Sequence, residues 1–170
     1  MAMKITDRLV GDHLTFRKML VNLDQLADQP PAKRDLGKLI RQVELFKDHL
    51  MLHAWCEDTF YYPVIRRALP QAPPLSVSYM DHLDEEHKMV DGYLDRLEAE
   101  VKSRPLAPSW PQTYALFSKG LMAHMKKEEE ELFPLSETFL GSHRLEEISQ
   151  ELERRRTEAP KVRLHTQSGT

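Results

Sequence analysis

Four apolar stripes run along this chain, and each is broken at one place by a histidine. The first comprises Leu9, Phe16, Leu20 and Leu23, with His13 in phase. The second runs Leu39, Val43, Phe46, Leu50, His53, Glu57, Phe60, Val64. The third is Leu83, His87, Val90, Leu94, Leu97, Val101, and the fourth Tyr114, Phe117, Leu121, His124, Glu128, Glu131, Leu135. Steps of three and four place each stripe on one face of a helix and exclude strands, whose faces repeat every two residues. Proline sets the limits, because inside a helix it removes a hydrogen bond and clashes with the preceding turn. The prolines at 30–31, 70–74 and 105–111 predict helices over about 5–28, 35–66, 76–103 and 111–134. A fifth, over about 143–157, follows Gly141 and has Ser142 as its expected N-cap. Short connections make the fold class all-α, an up-down four-helix bundle with an additional C-terminal helix. The expected organisation is a metal-binding bundle over 1–140, an appended helix over 141–158 and a loose polar tail over 159–170. Leu145, Ile148 and Leu152 give the fifth helix an apolar face, suited either to capping the bundle or to joining a protein partner or a second copy in a homodimer.

Composition narrows the function. A chain of 170 residues suits one domain. With 24 basic and 27 acidic residues the net charge is −3, so no basic excess points to nucleic acid or an anionic membrane. Six glycines argue against phosphate-binding loops, and one cysteine excludes a disulfide framework or a thiolate metal cage. Met1–Phe16 carries five charged or ionisable residues and no apolar run, and nothing approaches the ~20 apolar residues of a membrane span. The expectation is a cytoplasmic protein with a reduced thiol.

The interrupted stripes are two copies of one helix pair. His53-Ala54-Trp55-Cys56-Glu57-Asp58-Thr59-Phe60-Tyr61-Tyr62-Pro63 and His124-Met125-Lys126-Lys127-Glu128-Glu129-Glu130-Glu131-Leu132-Phe133-Pro134 share His, three residues, Glu, an acidic residue and a terminal aromatic-Pro. These histidines are 71 residues apart; the lone histidines, His13 and His87, are 74 apart. Uncompensated buried carboxylates cost several kcal/mol, so six polar groups on buried stripes must pair with one another or hold metal. His and Glu at i and i+4 lie one turn apart on one face. Two such helices and two lone histidines give four imidazoles and two carboxylates. These divide between two ions, with about two histidines each and the carboxylates shared. Imidazole and carboxylate without thiolate suit Fe, Mn or Zn.

The paired motifs and the two lone histidines resemble the hemerythrin-like HHE cation-binding family, over about residues 5–135. His13, His53, Glu57, His87, His124 and Glu128 fall on that family's ligand positions. The resemblance implies a non-haem di-iron centre of two Fe ions, with the histidines as terminal ligands and Glu57, Glu128 and an oxo or hydroxo group as bridges. The oxygen-carrying hemerythrins use five histidines and an Asp five residues after the last one. Here there are four, and Glu128 follows His124 by four. This set looks more like bacterial proteins implicated in repairing iron centres after nitrosative or oxidative damage, whose additional cysteine-bearing region is not in this sequence. The expected function is to handle or sense O2, NO, peroxide or iron, with a small diatomic or peroxide ligand. Three classes stay open: a sensor, an enzyme reducing peroxide or NO, and an iron donor. No residue is singled out as catalytic.

Other residues read more plainly. His49, one turn before His53, reads as a polar flank and His82 as a surface residue, with an extra ligand as the alternative for either; His143 and His165 lie beyond the bundle. Cys56 reads as a small buried hydrophobe, Glu129 and Glu130 as water-facing, Glu131 as ambiguous, and the tyrosines as ordinary bundle aromatics.

Overall fold

The computed structural model describes residues 3–69 and 76–161. All regular structure among them is helical: α1 (Ile5–Ala27), α2 (Leu36–Cys56), α3 (Tyr62–Ala68), α4 (Val77–Lys102), α5 (Trp110–Lys127) and α6 (Phe133–Arg154). Single π-helical turns, Glu57–Tyr61 and Glu128–Leu132, join α2 to α3 and α5 to α6. The six helices therefore form four rods, in an all-α bundle that packs α1 on α2, α2 on α4 and α4 on α5. None of the described helices is long and apolar enough to cross a membrane.

Local chemistry fixes the ends. The Asp35 carboxylate accepts from the Lys38 amide and caps α2, and the Ser76 hydroxyl does the same for Tyr79 and α4. At the end of α1, the Arg34 guanidinium donates to the carbonyls of Leu26 and Ala27, which the helix leaves unpaired, and to that of Gln29 just beyond it.

Each rod contributes to two separate apolar cores. One contains Phe16, Leu20, Phe46, Leu97, Trp110 and Phe117; the other Ile5, Leu9, Ile65, Met80, Leu83 and Leu145. The polar layer of His13, His53, Glu57, His124 and Glu128 interrupts the rods between the two cores, at the level where the sequence breaks every stripe.

The π-turns are a departure from the expected uninterrupted helices. Pro63 and Pro134 lack the N–H an α-turn needs, and each ring would crowd the carbonyl four residues back. The preceding turn opens, and Tyr62 N–H donates to Glu57 O and Phe133 N–H to Glu128 O, five residues back. The wider turn shifts the inward face by one position. Leu132 and Ser136 are buried where the unbroken stripe puts Glu131 and Leu135; Glu131 is exposed.

The expected fifth helix is the distal part of α6. It is set off from the proximal part by a kink at Gly141, whose non-helical φ of 74° and ψ of 160° lie in a region that suits glycine alone. A second helical segment begins beyond this kink, but the Ser142 side chain makes no capping hydrogen bond to it. Leu145, Ile148 and Leu152 are buried in the second core with Ile5 and Leu9, so this apolar face closes the bundle's own end. Most of the expected tail, residues 162–170, lies outside the described residues.

Candidate metal centre

The six residues singled out in the sequence converge in the polar layer. His13, His53, Glu57 and Glu128 each bring one donor atom within 4.8 Å of the others, and so do Glu57, His87 and His124. Glu57 belongs to both sets: its Oε1 is 3.2 Å from His53 Nε2 and its Oε2 3.2 Å from His87 Nε2. Glu128 also spans them, with Oε2 3.3 Å from His13 Nε2 and 3.4 Å from His124 Nε2. The paired Nε2 atoms are 3.2 Å apart in the first set and 3.0 Å in the second. Two nitrogens bound at ~2.1 Å to one ion, at right angles, stand ~3.0 Å apart.

Both oxygens of Glu57 and Oε2 of Glu128 are buried and take part in no hydrogen bond. Such atoms are costly without a cation. Protons compensate in the metal-free chain. Burial opposes charging His53, but the Glu57 carboxylate, followed by Asp12, lifts it to about 10. Burial likewise opposes charging His87, and the Asp58 and Glu57 carboxylates beside it carry it to about 11. Burial pushes the Glu57 carboxyl up, yet His53 and His87 hold it well below the usual range. A divalent cation would displace those protons. The donors and their spacing fit two ions.

Around the ligand atoms lies a ring of carboxylates that the sequence reading missed. Each histidine turns Nε2 inward and Nδ1 toward an acid: His13 to Glu129 at 2.8 Å, His53 to Asp12 at 3.3 Å, His87 to Asp58 at 3.4 Å and His124 to Glu86 at 3.1 Å. Such partners fix the tautomer and orientation of a ligating imidazole. The pattern obeys the repeat. The residue before each lone histidine (Asp12, Glu86) holds the other histidine of its own pair. The residue after each shared glutamate (Asp58, Glu129) reaches across to the opposite pair. Glu129 therefore does not face water as expected, because Arg17 also binds it through two bonds of 2.9 and 2.8 Å. Burial raises its carboxyl, but Arg17 and His13 bring it below the usual value. The signal for these acids was an acidic residue beside each ligand position in both copies.

One tyrosine departs from the ordinary role expected of it. The Tyr62 ring stacks on His87 with centroids 5.4 Å apart, as Phe133 stacks on His13 at 5.8 Å. These two occupy the same place in the repeat, immediately after the π-turns, but only Tyr62 has a hydroxyl. It donates to Glu128 Oε1 at 2.6 Å. Burial, then the Glu128 and Glu57 charges, pushes that phenol well above its usual range.

The remaining candidates stay apart. His49, His82 and His143 are exposed, and His165 lies outside the described residues. Cys56 is buried in the second core, and burial drives its thiol up to about 12. No curated protein and no solved structure matches the chain. The family model that does match, over residues 4–136, is the hemerythrin HHE cation binding domain, and it spans all six inward-facing residues. With most of its length covered by that match, the chain belongs to the hemerythrin HHE cation-binding family.

Proposed function

We propose that the protein holds a non-haem di-iron centre and uses it in the cytoplasm to handle or sense O2, NO, peroxide or iron. The observation that carries this reading is a pair of donor sets sharing Glu57, in which three buried carboxylate oxygens have no hydrogen-bond partner. His13 and His53 would hold one ion, His87 and His124 the other, with Glu57 and Glu128 across both. Bound iron supplies a one-electron couple and positions open to a small ligand. The protein's own part is to fix geometry and exclude water. The four outer carboxylates orient the imidazoles, Phe133 and Phe16 flank His13, and the Tyr62 hydroxyl keeps one Glu128 oxygen paired. The buried, weakly acidic Cys56 stands outside this chemistry.

The test is metal analysis after loading with ferrous iron without oxygen, together with the visible spectrum. Two ions per chain are expected; one or none would sink the reading. Zinc in purified material would not, since affinity alone does not select iron. The two sets offer two histidines each, without the three-to-two division of the oxygen carriers. Reduced protein mixed with air is therefore expected to oxidise, and argon purging should not restore its starting spectrum. A spectral change that purging reverses would favour oxygen carriage.

The iron-donor reading has one observation in its favour. His87 is 14% exposed, against 0% for His13, and it lines a cleft of about 430 Å³ open to solvent.

A further inference from the structure

The repeat is broken four residues after the lone histidines, at Arg17 in one half and Asp91 in the other. In the first half, Arg17 grips both oxygens of Glu129, and Glu129 holds His13 Nδ1 at 2.8 Å. His13 is sealed. In the second half the corresponding carboxylate, Asp58, holds His87 Nδ1 at 3.4 Å and is 57% exposed. Asp91 lines the same cleft as Asp58 and His87, so a carboxylate stands where the first half has a guanidinium. The cleft's cations, Arg66 and Lys88, are already paired, Arg66 with Asp81 and Asp84 and Lys88 with Glu85. A smaller cleft of about 150 Å³ reaches His53; Arg8 and Arg156, both paired with Glu153, line it against the single carboxylate of Asp12. An approaching divalent cation is drawn more to the cleft of Asp58, Asp84 and Asp91 than to the one lined by two arginines.

We infer that the two halves exchange metal unequally: the ion held by His87 and His124 enters and leaves through the acidic cleft at Asp58 and Asp91, while the Arg17–Glu129 clamp retains the ion at His13 and His53. This rests on the two-metal reading and assigns a direction of traffic within it. Asp91 and Arg17 act as positioning residues. One leaves Asp58 free to swing from His87 and to meet the incoming ion. The other prevents the same movement of Glu129.

The experiment follows loss of ferrous iron from the anaerobically loaded full chain to a coloured ferrous chelator. The wild type should release its iron in two phases of one ion each. Asp91→Arg, which puts a clamp on Asp58, should slow the fast phase about tenfold or more, the scale on which outer partners of metal-binding histidines act. Arg17→Asp should quicken the slow phase by a similar factor, and it serves as the second variant if Asp91→Arg folds poorly. Helical circular dichroism checks each fold. Release of both ions in one phase, or two phases that neither variant moves, overturns the inference while the two-metal reading stands. A wild type that loads fewer than two ions defeats both.

Discussion

In one half of the centre His13 is sealed under Phe133 and behind the Arg17–Glu129 pair. In the other, His87 lies under Tyr62 beside an open acidic cleft. The inward-facing atoms of the two halves are near copies: two Nε2 atoms about 3 Å apart, with carboxylate oxygens 3.2–3.4 Å away. The difference lies one step further out, in a hydroxyl present or absent and in a charge reversed. The duplicated scaffold sets which atoms face inward, and the residues behind them set how tightly each half is held.

The largest expected effect comes from removing what the halves share. Glu57→Ala takes away both oxygens that link His53 to His87, and Glu128→Ala the one that links His13 to His124. Each should lose the two-ion state, read as metal per chain after ferrous loading. Full loading of both variants would show that the halves do not depend on a common carboxylate. The outer acids come next. Glu129→Ala and Asp58→Ala should each weaken metal binding about 10–100-fold, with Glu129 the costlier because its loss also strands Arg17. Competition with a chelator of known affinity measures this, and equal losses would remove the contrast between a clamped and a loose half. Tyr62→Phe makes the two aromatic positions alike. It leaves a buried Glu128 oxygen unpaired, at a cost of about 1–3 kcal/mol in the metal-free protein. That corresponds to a fall in melting temperature of a few degrees, and an unchanged melt would show the hydroxyl to be idle. Smallest of all, Glu130→Ala should leave metal content and melting unchanged, since its side chain is exposed beside the two working glutamates.

The helices, their approximate limits and the convergence of the six inward residues were legible because one period of three to four runs through every stripe. What the period alone does not carry is the break in phase at each π-turn and the identity of the neighbouring helix. Pro63 and Pro134 are visible as part of the repeat, but an unbroken period puts Glu131 in phase with the stripe, on the face that Leu132 occupies once the turn before each proline opens. The expectation of a water-facing Glu129 rests on adjacent helix positions pointing about 100° apart. In a narrow bundle that angle aims the side chain at the next helix, where Arg17 and His13 wait. Neither contact could be read without knowing which helices are neighbours. The Gly141 bend was marked by its glycine, but whether the chain would stop there or turn was decided by Leu145, Ile148 and Leu152 finding the second core.

The polar layer has a consequence for how the molecule comes apart. A continuous apolar interior melts as a unit, whereas this one is cut in two by a sheet of ionisable groups that water can invade once no cation holds it. The metal-free protein then contains two candidate foldons: one around Phe46 and Phe117, the other around Ile65 and Leu145. Only the helical rods connect them. Bound ions would rivet the two together, so amide exchange that is uniform along each rod in the loaded state should separate into two protection levels, divided at the π-turns, when the metal is withdrawn.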